Sequence, residues 1–109
     1  MEYGMKEKSL EVSNLVMLTG STHKQTLNGL GTAGYIWSLM MDGDTDIISV
    51  SHTTEKTPIG TIPSAYDNND IFKIIALKPG KVRVRFFLHR PWEHEKPPLR
   101  EVIIDVSVV

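Results

Sequence analysis

Apolar and polar residues alternate along Val82-Arg83-Val84-Arg85-Phe86-Phe87-Leu88, where every second side chain is apolar. The same period of two recurs near the end of the chain, over residues 101–108. This period is that of a β-strand with one face in a core and the other toward solvent. The two stretches therefore predict half-buried strands.

Weaker runs of the same kind precede these two, and no window of about 12 residues keeps the 3.6-residue period of a helix. The weaker runs lie at about 10–18, 22–28, 34–41, 46–52 and 70–77. Turn-forming residues separate them at Asp42-Gly43-Asp44, where we expect a hairpin, and at Asp67–Asp70 and Pro79-Gly80. Seven strands at this spacing predict an all-β fold, an immunoglobulin-like antiparallel β-sandwich of about seven to eight strands.

The domain organisation follows from length. A chain of 109 residues suits one domain, so we expect residues 1–109 to form a single unit with residues 1–9 as a flexible N-terminus. Trp37 lies on the third predicted strand, where a tryptophan packs between the two sheets.

Composition excludes several classes of function. The net charge is −1, with no basic stripe for nucleic acid, and no run reaches the roughly 18 apolar residues of a membrane span. The chain has no cysteine, which removes thiol catalysis and thiolate metal sites. Its four histidines lack partners at metal-ligand spacing, and no Ser/His/Asp arrangement is evident. We therefore expect no enzyme, no metal and no cofactor.

The predicted topology brings the unusual loops together. If successive strands A to G alternate in direction, the B–C, D–E and F–G connections emerge at one end of the sandwich. They comprise residues 29–34, about 53–69 and about 89–98. Binding residues are often carried by loops on a rigid scaffold.

Each loop has more than one interpretation. Residues 29–34, Gly-Leu-Gly-Thr-Ala-Gly, lack the Lys-Ser/Thr of a phosphate-binding loop, and form either a flexible connection or a loop whose backbone enters a narrow cleft. Arg90-Pro91-Trp92 either caps the sandwich or presents an aromatic anchor stiffened by proline. Residues 56–66, with two prolines, either pack on themselves or lie along a partner's groove.

Together these motifs resemble the chagasin family of cysteine peptidase inhibitors, immunoglobulin-like sandwiches that inhibit papain-like peptidases. The family's hallmarks are an Asn-Pro-Thr-Thr-Gly-Tyr/Phe-x-Trp loop, a Gly-x-Gly-Gly loop and an Arg-Pro-Trp loop, in that order. Residues 30–37, Leu-Gly-Thr-Ala-Gly-Tyr-Ile-Trp, align with the first, and Arg90-Pro91-Trp92 matches the third in full. Only Gly60 lies in a plausible place for the glycine-rich loop.

The resemblance implies a reversible inhibitor that occludes the active-site cleft with three loops and needs only a monomer. The B–C loop would be the wedge, Trp92 would stack on an apolar rim, and Arg90 would pair with the partner or brace its own loop. The peptidase-binding residues so implied are Leu30, Gly31, Thr32, Ala33, Gly34, Tyr35, Ile59, Gly60, Thr61, Ile62, Arg90, Pro91 and Trp92.

Departures from the family pattern leave an alternative open. Leu30, Gly31 and Ala33 replace asparagine, proline and threonine, so the first loop is less pre-organised and we expect weaker or differently targeted inhibition. The alternative is a non-inhibitory immunoglobulin-like module with an adhesive or structural role. An inhibitor should expose Trp92, whereas a structural module should bury it.

Overall fold

The structure is a computed structural model that describes residues 9–28, 34–58 and 66–109. These residues form seven β-strands and one 3₁₀ turn, Thr45–Ile47. The strands are β1 (Ser9–Met17), β2 (Thr22–Asn28), β3 (Ile36–Gly43), β4 (Ile48–Pro58), β5 (Tyr66–Ala76), β6 (Gly80–His89) and β7 (Arg100–Val108). The described part of the chain contains no helix long and apolar enough to cross a membrane.

The strands form two sheets, with orders β1-β7-β6-β3 and β2-β5-β4. This arrangement confirms the predicted sandwich, with one departure, because β1 pairs with β7 in parallel rather than antiparallel. The turn that follows β1 lies where β7 ends, as shown by the hydrogen bond from the Thr19 amide to the Val109 carbonyl at 3.0 Å. β1 must therefore run in the same direction as β7.

The core lies between the sheets and comes from the side chains that the alternation marked. Val82, Val84, Phe86 and Leu88 of β6 are all buried. The alternate residues of β7 pack beside them: Val102, Ile104, Val106 and Val108. Trp37 of β3 is 5% exposed and belongs to the same cluster, as the sequence predicted. The burial of these apolar side chains is the main stabilising contribution to such a sandwich.

Two predicted turns are wrong. The Asp67–Asp70 stretch lies inside β5, where Asn69 pairs with Asn28 on one side and with Glu55 on the other. Backbone hydrogen bonding to two neighbouring strands outweighs the turn preference of these residues. The D–E connection is consequently residues 59–65, much shorter than the predicted 53–69.

The Asp42-Gly43-Asp44 stretch is not a hairpin either. β3 pairs with β6 and β4 pairs with β5, so the chain crosses between the sheets here through the 3₁₀ turn. Asp44 anchors the crossing to β6, since its amide donates to the Lys81 carbonyl at 3.0 Å. A hairpin would have kept both strands in one sheet.

Strand register places three connections at one end of the sandwich, which we call the loop end. Ile36 is opposite His89, and Leu88 is opposite Arg100, so β3 and β7 begin where β6 ends. In the other sheet, Pro58 is opposite Tyr66 at the corresponding end of the β4–β5 pair. The indole Nε1 of Trp37 donates to the Asn28 carbonyl at 3.1 Å and thereby joins the two sheets at this end.

Candidate functional site

The structure describes five of the thirteen residues that the sequence predicted for the site. Gly34, Tyr35, Arg90, Pro91 and Trp92 all lie at the loop end. The other eight lie outside the described residues: Leu30, Gly31, Thr32, Ala33, Ile59, Gly60, Thr61 and Ile62. The described part of the site therefore consists of the end of the B–C connection and the whole F–G connection.

The B–C connection is fixed where it enters β3. Gly34 has a φ of +78°, in the left-handed region that other L-residues rarely adopt. Tyr35 is half-buried against the core, and Trp37 is held by its hydrogen bond to Asn28, the last residue of β2. The hydrogen bond between Trp37 and Asn28 thus holds the two ends of the B–C connection next to each other.

The F–G connection, residues 90–99, contains two successive turns. The Glu93 amide donates to the Arg90 carbonyl at 2.9 Å, and the Lys96 amide donates to the Glu93 carbonyl at 3.3 Å. At its base, the Leu99 amide donates to the Leu88 carbonyl at 2.8 Å. The loop therefore has its own internal structure, and Pro91 further restricts the backbone of its first turn.

Trp92 lies over Gly34, so the two motifs that are far apart in sequence are in contact. A Cβ atom built on Gly34 would overlap the Cη2 atom of Trp92 and lie 3.0 Å from its Cζ3 atom. Trp92 as a residue is nevertheless 64% exposed. One edge of the ring rests on the B–C backbone while most of its surface faces solvent, as expected of an aromatic anchor rather than of a buried cap.

The side chain of Arg90, unlike that of Trp92, packs against residues of its own chain. Its guanidinium carbon lies 4.5 Å from the centroid of the Tyr35 ring, within the range of a cation–π interaction. Its Nη1 also lies 3.4 Å from Oε2 of Glu93, and Nζ of Lys96 donates to the same carboxylate oxygen at 3.2 Å. Four side chains from two connections thus form one cluster, which we call the Arg90 cluster: Tyr35, Arg90, Glu93 and Lys96.

Electrostatics keep the Glu93 carboxylate ionised. Burial raises the pKa of Glu93, but the hydrogen bonds and positive charges of Lys96 and Arg90 outweigh this effect. The resulting pKa lies below the ordinary value of 4.5. The contribution of this ion pair to stability is therefore complete above pH 4.5 and is lost only as the pH falls through the lower, folded-state pKa.

Sequence reasoning missed Glu93 and Lys96. Their signal was present, because Arg90, Glu93 and Lys96 alternate in charge at a spacing of three residues. Such a spacing brings side chains together only if the backbone turns tightly. The tight turns of this loop became visible only in the structure.

Two cavities lie among the described residues at this end. The cavity beneath the F–G connection has a volume of about 110 Å³ and is lined in part by Tyr35, Arg90 and Glu93. Sites for small organic ligands are commonly 300–1,000 Å³. A larger groove of about 370 Å³ is lined, among the described residues, by residues 92–96 of the F–G connection. The cavity shared by the two connections is thus smaller than the usual site for an organic ligand.

Comparison with known families finds one match that covers most of the chain. The family model described as Chagasin family peptidase inhibitor I42 matches residues 17–106. This range includes both loop motifs. A search of curated protein sequences returns no match.

Several solved structures have the same fold. The cysteine protease inhibitor EhICP2 from Entamoeba histolytica is 21% identical, with a TM-score of 0.72 over 96% of this chain and 100% of that one. PbICP-C, solved in complex with falcipain-2, is 19% identical, with a TM-score of 0.73 over 100% of this chain and 96% of that one. Amebosin is 18% identical, with a TM-score of 0.60 over 94% of this chain and 100% of that one.

Proposed function

This chain belongs to the chagasin family of peptidase inhibitors, which act on papain-like cysteine peptidases, and we propose that it occludes their active-site cleft with the loop end of its sandwich. Members of this family are inhibitors rather than enzymes. The substrate cleft would be closed by contact alone, with no bond made or broken by the inhibitor.

The observation that carries this proposal is the placement of Trp92. The residue is 64% exposed, and yet its ring is in contact with Gly34. Exposed aromatic side chains that are already held in place contribute contact area at low entropic cost and are frequent interface hot spots. A structural module that used this tryptophan as a cap would have buried it.

The proposed contacts divide among the three connections. Residues 31–34 form the wedge that enters the cleft, where small side chains let the backbone approach the catalytic groups. Trp92, with Pro91 beside it, covers one rim, and Ile59, Gly60, Thr61 and Ile62 cover the other. An interface of roughly 1,600 Å² would be of standard size for a protease–inhibitor pair. One copy of the inhibitor suffices for one peptidase.

The neighbouring structure of PbICP-C in complex with falcipain-2 supports the proposed class of partner, since a protein of the same fold is bound there to a papain-like cysteine peptidase. The departures of the first loop from the family pattern determine how tightly we expect the protein to bind a peptidase. Gly31 stands where the family has proline, so more conformational entropy is lost on binding. We therefore propose tighter binding to clefts that make many contacts with Trp92 than to clefts that depend mainly on the wedge.

Titration of papain, and then of a cathepsin L-type enzyme, tests the function. The purified protein should abolish activity at a 1:1 ratio, activity should return on dilution, and the recovered inhibitor should be uncleaved. If the cleft is occluded, a small covalent reagent for the catalytic cysteine should react more slowly in the complex. Full reactivity of that cysteine in an inhibited complex would contradict occlusion.

A further inference from the structure

Arg90 and Trp92 belong to one motif but face in opposite directions. The side chain of Arg90 is 30% exposed and that of Glu93 is 19% exposed, against 64% for Trp92 as a residue. The guanidinium of Arg90 lies against Tyr35 and Glu93, both of its own chain. The motif therefore presents its aromatic side chain outward and keeps its cation inside the inhibitor.

We propose that Arg90 and Glu93 are positioning residues: with Tyr35 they hold the F–G connection against the B–C connection and so fix Trp92 over Gly34 before a peptidase binds. This inference rests on the proposed function for its effect on inhibition. The geometry that it describes belongs to the free protein and can be tested there. Arg90 then has no direct role on the surface of the peptidase.

The chemistry of the guanidinium explains why arginine suits this position. Its flat face can stack on an aromatic ring while its N–H groups donate in the plane to a carboxylate. Arg90 does both, with the ring of Tyr35 at 4.5 Å and the Glu93 carboxylate at 3.4 Å. An ammonium group has neither the flat face nor the divergent donors, so lysine would keep the charge without keeping the orientation.

The placement of these contacts explains their effect on Trp92. Arg90 and Glu93 are the first and last residues of the turn that contains Trp92, and their backbones are joined at 2.9 Å. Tyr35 directly follows Gly34, on which the indole rests. The cluster therefore connects the two ends of the turn around Trp92, Arg90 and Glu93, to Tyr35. Tyr35 is the neighbour of Gly34, the residue that Trp92 contacts. A side chain held in this way loses less freedom when the interface forms.

The lowered pKa of Glu93 is consistent with a cluster that persists in mildly acidic solution. The carboxylate stays ionised below its ordinary pKa of 4.5 because Lys96 and Arg90 outweigh the effect of burial. The ion pair between Arg90 and Glu93 therefore persists to a lower pH than it would if Glu93 had its ordinary pKa.

The test measures the position of Trp92 directly by NMR. The ring current of an indole shifts the signals of nearby protons, at its edge as well as above its face, so the Gly34 α-protons should be displaced in the wild type. Trp92→Ala provides the reference without a ring. We expect Arg90→Gln, Arg90→Lys and Tyr35→Leu to move the Gly34 signals most of the way to this reference, and Tyr35→Phe, which keeps an aromatic face, to retain the wild-type shift.

Inhibition of papain provides the second measurement. Arg90→Gln and Tyr35→Leu should each raise the inhibition constant about 3- to 10-fold, the effect of freeing one ordered side chain. The double variant should lose less inhibition than the sum of the two single losses, because the contact between Arg90 and Tyr35 is broken in either single variant. Arg83→Gln is the control, since Arg83 pairs with Asp105 on the sheet rather than with a loop, and it should inhibit like the wild type.

Two results would overturn the proposal. One is an unchanged Gly34 shift in Arg90→Gln, which would mean that Arg90 does not position the indole. The other is fully additive losses of inhibition in the double variant, which would mean that the contact between Arg90 and Tyr35 does not contribute to inhibition. If the wild type inhibits no papain-like enzyme, the proposed function fails, while the NMR shifts alone still decide whether the cluster fixes Trp92.

Discussion

The two tryptophans of this chain have opposite roles in regions that are close together. Trp37 is 5% exposed between the sheets, and Trp92 is 64% exposed on the F–G connection. Trp37 uses its Nε1 to join the sheets through Asn28, whereas Trp92 rests on the backbone of Gly34, only three residues before Trp37. Trp37 stabilises the strands that carry the loop end, and Trp92 is exposed on the surface of the loop end.

This difference shows how the fold separates stability from recognition. The core around Trp37 is built from alternating strands that bury one face each. The surface around Trp92 depends on two connections that meet only because the strands end at the same place. We therefore expect substitutions in the two regions to change different measured quantities.

Trp37→Ala should produce the largest change, a loss of about 3–5 kcal/mol in the free energy of unfolding. It removes a large side chain from the core and leaves the Asn28 carbonyl without its donor. Since domains of this size are stable by roughly 5–15 kcal/mol, the variant should be marginally folded. Urea unfolding followed by circular dichroism measures the loss. If Trp37→Ala unfolded at the same urea concentration as the wild type, Trp37 would contribute little to the stability of the sandwich.

Trp92→Ala should leave stability within about 0.5 kcal/mol of the wild type, as for most surface substitutions. It should weaken inhibition by about 2 kcal/mol or more, roughly 30-fold, because a hot spot is lost. Papain titration measures this effect. Leu77→Ala is a matched control, since Leu77 is an exposed apolar residue at the opposite end of the sandwich, and it should inhibit normally. Equal losses in the two variants would refute the assignment of Trp92.

The strands and their buried faces could be predicted from the sequence, because the alternation of apolar and polar residues is local and repeated. The alternation along β6 and β7 identified their buried faces, and the position of Trp37 on the third strand identified it as a core residue. The errors arose where local preference competes with long-range pairing. Asn69 has a strong turn preference, yet in β5 it has a partner strand on each side, and no local pattern records that.

The recognition surface was predicted only in part. The order of the two motifs indicated a shared end of the sandwich, and the resemblance to the chagasin family selected Trp92 and Arg90. The opposite orientations of these two side chains could not be predicted, because they depend on the tight turn between Arg90 and Glu93 and on the distance to Tyr35. Spacing along the chain does not determine either of these.

Gly34→Ala tests whether the B–C and F–G connections act together through the contact between Gly34 and Trp92. Gly34 and Gly20 both have positive φ, +78° and +92°, so alanine at either position should cost a similar 1–2 kcal/mol or so of stability. Only at Gly34 would the new methyl group meet the Trp92 ring, whereas a Cβ on Gly20 has no atom within 4 Å. Gly34→Ala must displace the indole, and Gly20→Ala cannot.

We therefore expect similar urea midpoints for the two alanine variants and different inhibition. Gly34→Ala should weaken inhibition of papain by about 3- to 10-fold, the range that a strained or shifted side-chain rotamer implies. Gly20→Ala should inhibit like the wild type once both are measured at a temperature where each is folded. Equal inhibition by the two variants would mean that Trp92 can leave Gly34 without consequence, and that its exposure alone determines its role. A selective loss in Gly34→Ala would mean that the loop end functions as a unit, since a change in the B–C backbone would then act through a side chain of the F–G connection.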